Sequence, residues 1–221
     1  MNPVFPSILS TNFFDLEAKL RQFEKSGVDF IHLDVMDGHF VDTISFGPSL
    51  ARAIKGKFPF GLDAHLMVSN PEKAIPHFIA AGADWLSFHA EAAGDTAGLL
   101  RMIRASGRRA GLVLNPDTPL ERVRPFLDAA DYILLMSVFP GYGGQAFIPG
   151  TLERTAQLKR EITSRKNRCL LQVDGGINST NAALLREAGA DLFVVGTSLF
   201  QSENIEGTIV EFLNQLHWSR P

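Results

Sequence analysis

Two short segments place ionisable residues at strand spacing: Ile31-His32-Leu33-Asp34-Val35-Met36-Asp37-Gly38 and Asp63-Ala64-His65-Leu66-Met67-Val68. Side chains of a strand alternate between its faces. His32 and Asp34 therefore share one face, as do Asp63 and His65, while Ile31, Leu33, Val35, Leu62, Ala64 and Leu66 turn the other way. Ionisable groups within otherwise apolar strands are unfavourable to bury unless something pairs with them. A further carboxylate, Asp174, closes the segment Leu170-Leu171-Gln172-Val173-Asp174. His32, Asp34, His65 and Asp174 together offer two imidazoles and two carboxylates, a set that one divalent cation (Zn, Fe(II), Mn or Co) can use. The same spacing also fits histidines hydrogen-bonded in a core and aspartates capping loops. Asp63, one layer deeper than His65, suits the outer partner that a metal-bound histidine usually has; a structural ion pair fits it as well.

A second chemical signal lies in the last third of the chain. Gly141-Tyr142-Gly143-Gly144, Asp174-Gly175-Gly176 and Gly196-Thr197-Ser198 each follow an apolar run. Glycines let backbone N–H groups approach an anion, and a helix N-terminus adds a favourable dipole. No Lys or Arg lies between Arg124 and Arg154, so an anion there would be held by amides rather than by a cationic clamp. Each run alone is compatible with a tight turn. Met36, Met67 and Met136 sit at strand ends, where they serve either as core filler or as an apolar roof over a polar site. His89, counted from Gly82 as Asp34 is counted from Gly27, faces the same mouth as a polar lining residue. Asp37 reads as closing a loop, Asn115 as a turn former, and His39, His77 and His217 as loop or helix-surface residues.

Positioning such groups on separate strand ends calls for repeated βα units. Gly27-Val28-Asp29, Gly82-Ala83-Asp84 and Gly189-Ala190-Asp191 each follow a helix-like segment and precede an apolar run, and Ala129-Ala130-Asp131 is a weaker copy. Gly ends a helix in the left-handed conformation, and the chain then enters a buried strand. The pattern predicts eight strands near 4–8, 29–35, 60–66, 84–89, 109–114, 131–137, 168–173 and 191–195, with helices in most gaps. Phe13, Leu16, Leu20 and Phe23 share a helical face with Asn12 as cap. Ile75, Phe78 and Ile79 do so after Pro71. Leu99, Leu100 and Ile103, then Leu184 and Leu185, then Ile209, Phe212, Leu213 and Leu216 mark further helices. The expected architecture is α/β: a single-domain (β/α)8 barrel over residues 1–221 with a parallel eight-stranded core. A doubly wound sheet is the alternative, but no Gly-x-Gly-x-x-Gly turn follows the first strand.

A length of 221 residues with 45% hydrophobic content supports one sizeable core. A net charge of −3 argues against nucleic-acid binding. Cys169 is the only cysteine, which excludes an internal disulfide and suits a reducing cytoplasm. No apolar run is long enough to span a bilayer, and the first residues carry no export signature, so the expected location is the cytoplasm and no membrane partner is expected.

The assembled motifs resemble the ribulose-phosphate 3-epimerase family. They are Pro6-Ser7-Ile8-Leu9-Ser10, Leu33-Asp34-Val35-Met36-Asp37-Gly38-His39-Phe40-Val41, His65-Leu66-Met67, Leu114-Asn115-Pro116-x-Thr118-Pro119, Pro140-Gly141-x-Gly143-Gly144-Gln145-x-Phe147-Ile148-Pro149, Val173-Asp174-Gly175-Gly176-Ile177 and Val195-Gly196-Thr197-Ser198. The resemblance runs from about Pro6 to Phe200. It implies interconversion of ribulose 5-phosphate and xylulose 5-phosphate, one divalent metal per subunit on His32, Asp34, His65 and Asp174, and proton transfer by Asp34 and Asp174. It further implies sugar contacts from Ser7 and His65, and sugar-phosphate contacts from Gly141, Tyr142, Gly143, Gly144, Asp174, Gly175, Gly176, Gly196 and Thr197. Homo-oligomeric assembly also follows from the resemblance. The chain departs from the family pattern at Asp42-Thr43, where Pro-Asn is expected, and at Phe139, where a polar residue is expected. Both leave a ketohexose 6-phosphate such as allulose 6-phosphate as the alternative substrate. A decarboxylase of the orotidylate group would need Asp-x-Lys-x-x-Asp, and Asp34-Val35-Met36-Asp37-Gly38 lacks the Lys. A non-catalytic sugar-phosphate sensor would have no need of Asp174 as a second proton-transfer carboxylate.

Overall fold

The computed structural model describes residues 1–166 and 168–219; the expected 1–221 span also includes residues 167, 220 and 221, which lie outside the described residues. Eight strands run parallel: β1 Val4–Pro6, β2 Phe30–Met36, β3 Gly61–Met67, β4 Trp85–His89, β5 Arg109–Leu114, β6 Tyr132–Met136, β7 Leu170–Asp174 and β8 Leu192–Val195. Their order around the sheet is β1-β8-β7-β6-β5-β4-β3-β2, and a parallel bridge between Ser7 and His32 brings the two ends together. The result is a nearly closed (β/α)8 barrel. Helices α1 Leu16–Lys25, α2 Pro48–Lys55, α3 Pro71–Ala80, α4 Thr96–Ala105, α5 Thr151–Ser164, α6 Ser179–Glu187, α7 Thr197–Phe200 and α8 Ile205–Gln215 alternate with the strands. No helix among the described residues is long and apolar enough to cross a membrane.

The repeated Gly-x-Asp has a structural cause. Gly27, Gly82 and Gly189 have φ of 70°, 93° and 105°, the left-handed turn that a side chain disfavours. The following aspartate then accepts the backbone N–H of the neighbouring strand's first residues. Asp84 Oδ2 takes Leu62 N, Asp131 Oδ2 takes Ala110 N, and Asp191 Oδ2 takes Leu171 N. Asp29 does the same for Asn2 N, just before β1. The aspartates before β2, β4, β6 and β8 thus pin the starts of β1, β3, β5 and β7 and help set the strand register on which the site depends.

Outward residues such as Ile31, Leu33, Leu62, Leu86, Leu112, Ile133, Leu171 and Phe193 are buried against the helices. The barrel floor is an aromatic layer of Phe5, Phe30, Trp85 and Tyr132 with Leu192 and Val194. It admits no further atoms: a Cβ at Gly61 would lie 2.3 Å from the Phe30 ring, and one at Gly111 2.3 Å from the Tyr132 ring. The polar residues therefore sit above a dry base.

Three local expectations are corrected. β1 ends at Pro6 rather than near residue 8, because the Ser7 side chain caps a 3-10 turn over Ile8–Ser10. Asn12 caps a second 3-10 turn, Phe13–Asp15, so α1 starts at Leu16; Phe13 is exposed, its ring edge against Phe46. Leu184 also faces outward, and Leu185 alone of that pair is buried. In the unit after β5, 3-10 turns at Leu120–Arg122 and Arg124–Phe126 stand where a helix would be. Pro116, Pro119 and Pro125 explain this, since each lacks an N–H and clashes with a helical interior.

Candidate active site

β2, β3 and β7 bring His32, Asp34, His65 and Asp174 to one point above the aromatic floor. One ligating atom from each lies within 4.8 Å of all the others. His32 Nε2 is 3.4 Å from Asp34 Oδ1 and 3.8 Å from Asp174 Oδ2; His65 Nδ1 is 3.4 Å and 3.7 Å from the same two oxygens. Both imidazole nitrogens are fully buried, yet neither has a hydrogen-bond partner among the described residues. Buried polar atoms are almost always satisfied, so two orphans aimed at one space call for a shared partner. A tetrahedral ion with bonds of ~2.0–2.1 Å has ligands about 3.4 Å apart, close to the four nitrogen–oxygen separations here. The donor set, its geometry and its orphaned atoms all fit a divalent cation.

The surrounding network fixes each histidine. Asp63 is wholly buried and accepts from His32 Nδ1 at 2.8 Å, Gln172 Nε2 at 2.9 Å and the Tyr132 hydroxyl at 2.9 Å. His32 thus carries a proton on Nδ1 and leaves Nε2 to face the cluster. His65 Nε2 lies 2.8 Å from His89 Nε2, and His89 Nδ1 lies 3.3 Å from Glu91 Oε2. Ser7 donates its hydroxyl to Asp34 Oδ2 at 2.5 Å, leaving Oδ1 toward the histidines.

Electrostatics separate the two carboxyl groups. Burial raises the Asp34 pKa, but the His32 and His65 imidazoles outweigh it and hold the group far below the usual carboxylate range. Asp174 is pushed upward by burial and by the negative charge of Asp34. Burial opposes the His32 imidazolium, yet Asp34 and Asp63 hold its pKa well above the ordinary value. His89 is lowered to about 4, chiefly by burial, and Glu91 falls to about 2 because His89, Thr118 and Asn115 overcome its burial.

A cleft of about 300 Å3 opens above the cluster, bounded by Asp34 and Asp174 on its polar side and by Met36, Met67 and Met136. Gly141, Tyr142, Gly143, Gly144, Gly175 and Gly176 line its far wall, with Gly196 and Thr197 beside them. No described Lys or Arg lines it. The glycines are structural necessities at two points: a Cβ on Gly175 would lie 2.5 Å from Val138, and one on Gly176, at φ 62°, 2.7 Å from Phe147 N. A capping box joins Asn178 and Asn181 at the start of α6, whereas α7 opens at Gly196 with no side-chain cap. Ser7 also lines the cleft, and Phe139 stands half exposed at its rim. Asp42, Thr43 and Phe139 border an adjoining space of about 410 Å3.

The four candidate ligands thus converge, with a shared refinement: Asp34 and His65 each sit two residues before the ends of their strands, β2 and β3. Asp37 lies outside the cluster and closes a loop, accepting from His39 N, Phe40 N and Ser69. His39, His77 and His217 are exposed. Tyr132, Gln172 and Glu91 were not singled out from sequence. Gln172 shares strand parity with Asp174, and His89-Ala90-Glu91 repeats the spacing of His32-Leu33-Asp34, but neither pattern shows which partner the side chain meets.

Comparisons with known proteins point to one family and one fold. Residues 3–200 match the model of the family described as "Ribulose-phosphate 3 epimerase family". The chain is 42% identical over 212 residues to "Ribulose-phosphate 3-epimerase" of Bacillus subtilis (strain 168), covering 96% of this chain and 98% of the relative. It is 41% identical over 204 residues to the protein of the same name from Chlamydia pneumoniae, covering 91% and 89%. A crystal structure of 3-hexulose-6-phosphate synthase from Salmonella typhimurium has the same fold, with a TM-score of 0.72 at 17% identity over 97% of this chain and 98% of that one.

Proposed function

The chain belongs to the ribulose-phosphate 3-epimerase family, and on that premise we propose that it inverts C3 of D-ribulose 5-phosphate to give D-xylulose 5-phosphate. The observation that carries this reading is the pair of orphaned, buried imidazole nitrogens sharing one space with Asp34 and Asp174 at the base of a cleft. His32, Asp34, His65 and Asp174 would hold one divalent cation per subunit: Zn, Fe(II), Mn or Co. When bound, such a cation supplies Lewis acidity that stabilises negative charge on the ketone and C3 oxygens.

The protein's own groups move the proton. C3–H is acidified by the adjacent C2 ketone, and loss of its proton gives an enediolate. One carboxylate accepts that proton from one face, and the other carboxyl returns a different proton to the opposite face. Inversion follows because the two acids lie on separate strands, β2 and β7. Ser7, hydrogen-bonded to Asp34, keeps that carboxylate oriented and lies where a sugar hydroxyl would enter. Met36, Met67 and Met136 exclude water from the charged intermediate. The phosphate rests on the amides of Gly143, Gly144, Gly175, Gly176, Gly196 and Thr197, with Gly141 and Tyr142 over the sugar.

Phe139 and the adjoining space beside Asp42 and Thr43 favour one second reading, 3-epimerisation of a ketohexose 6-phosphate such as allulose 6-phosphate. Parallel assays of the cation-loaded protein on both sugars decide it: a higher kcat/KM for the pentose is expected, and a higher value for the hexose would overturn the substrate assignment. Full turnover after verified removal of the cation would overturn the metal reading. One domain over 1–221, cytoplasmic residence and homo-oligomeric assembly extend the same proposal. Exposed Phe13, Phe14 and Ile44 support the last, which light scattering of the purified protein tests.

A further inference from the structure

We propose that Glu91 and His89 are positioning residues, forming a polar relay that sets which nitrogen of His65 carries the proton and so leaves Nδ1 free for the cation. This rests on the cation reading above. The argument begins at Glu91, whose Oε1 accepts from the backbone N–H of Asn115 at 2.9 Å and from the Thr118 hydroxyl. Both belong to the loop after β5, which Arg154 braces by donating to the carbonyls of Asn115 and Thr118. An ionised carboxylate only accepts. His89 Nδ1, facing Glu91 Oε2, must therefore donate.

The consequence passes along the chain of contacts. A neutral His89 with its proton on Nδ1 has only a lone pair at Nε2. His65 Nε2, 2.8 Å away, must then be the donor. A neutral His65 with its proton on Nε2 has its lone pair on Nδ1, the atom aimed at Asp34 and Asp174. Packing keeps the rings in place: His89 lies at 5.0 Å from the His65 ring and 4.6 Å from the Phe40 ring, centroid to centroid. His32 receives the corresponding service from Asp63, so each of the two histidines has its own acidic anchor.

Glu91→Gln tests the relay because it keeps the shape and reverses one polarity. Asn115 N–H demands an oxygen, so the new amide nitrogen faces His89 Nδ1. His89 must then accept at Nδ1 and carry its proton on Nε2, opposite His65. That either sets two N–H groups against each other or drives the His65 proton onto Nδ1. The metal-free protein is titrated with Co(II), its binding read by visible absorption, alongside Thr118→Val, which removes a bond to the same carboxylate without changing its polarity. The expected result is a Kd for Co(II) about 10–100-fold weaker in Glu91→Gln, with the metal-free Tm and the Thr118→Val Kd near the parent values. In the parent, two-bond proton–nitrogen NMR should find the His89 proton on Nδ1. Unchanged Co(II) affinity in Glu91→Gln, an equal loss in Thr118→Val, or a parent His89 protonated on Nε2 would each overturn the relay. A parent that binds no Co(II) would overturn the cation reading and the relay with it, whereas tight parent binding with an indifferent Glu91→Gln overturns the relay alone.

Discussion

Asp63 permits the most quantitative perturbation. Its carboxylate is fully buried and accepts from three donors, on His32, Gln172 and Tyr132, at 2.8, 2.9 and 2.9 Å. Asp63→Leu removes every acceptor and strands those donors. Each buried unsatisfied group costs about 1–3 kcal/mol, so the three together cost about 3–9 kcal/mol. Against a typical total stability of about 5–15 kcal/mol, that variant is expected to be marginal or unfolded. Asp63→Asn behaves differently. Its amide oxygen can replace Oδ2 and keep both His32 and Gln172, while the new NH2 meets the Tyr132 hydroxyl, a rotor able to accept. The hydrogen bonds survive but the negative charge is gone. Bonds to a charged group contribute about 1.5–3 kcal/mol and neutral ones about 0.5–1.5. The relief of burying no charge offsets part of that difference, so a net loss of about 1–3 kcal/mol is expected. The His32 Nε2 lone pair becomes less basic, and Co(II) affinity should fall about 10–100-fold. Thermal denaturation and Co(II) titration measure both. An Asn variant binding Co(II) as tightly as the parent would refute the role of Asp63, and a Leu variant as stable as the Asn variant would refute the hydrogen-bond accounting.

Gly176→Ala places a Cβ 2.7 Å from Phe147 N and 2.8 Å from Gln145 O at φ 62°, so the glycine wall must shift; KM for the sugar phosphate should rise at least tenfold with a smaller change in kcat, and an unchanged KM would contradict a phosphate seat there. The metal-free protein should lose stability as pH rises above the ordinary histidine value of about 6.5. His32 has a folded pKa raised above its unfolded value, so its contribution is fully present below the latter and is lost as pH climbs through the former. Added Zn(II) should reverse this alkaline trend, since the cation takes deprotonated imidazoles, and Tm measured across pH with and without Zn(II) checks both signs. At acid pH the sign inverts: Asp34 and Asp63 have lowered folded pKa values, so their stabilisation is lost as pH falls through them.

Much of this was legible in the chain because strand geometry has period two. Once β2 and β3 are recognised, the face shared by His32, Asp34, Asp63 and His65 follows without knowledge of the partners. The Gly-x-Asp repeat was equally readable, because a left-handed glycine and a clamping aspartate recur for the same reason before β2, β4 and β8. Glu91 was not, because it lies beyond β4 in a loop. Its link to His65 runs through His89, which sits diagonally across the β3–β4 register, where His65 pairs with Ser87. Phe13 misled because its spacing matches the face of α1, while Asn12 caps a separate turn before that helix begins. Tyr132 and Gln172 read as ordinary strand residues until the barrel closes and brings them to Asp63 from β6 and β7.

The central claim, that two carboxylates act on opposite faces of one carbon, is tested most directly by isotope exchange. Asp34→Asn and Asp174→Asn, each loaded with cation, are incubated with ribulose 5-phosphate or xylulose 5-phosphate in D2O, and C3–H is followed by NMR. Inversion should fall by about 10²–10⁴-fold in both, while each variant still exchanges C3–H of one epimer, and the two variants exchange opposite epimers. Near-parent inversion in either variant, or exchange of the same epimer by both, would contradict it.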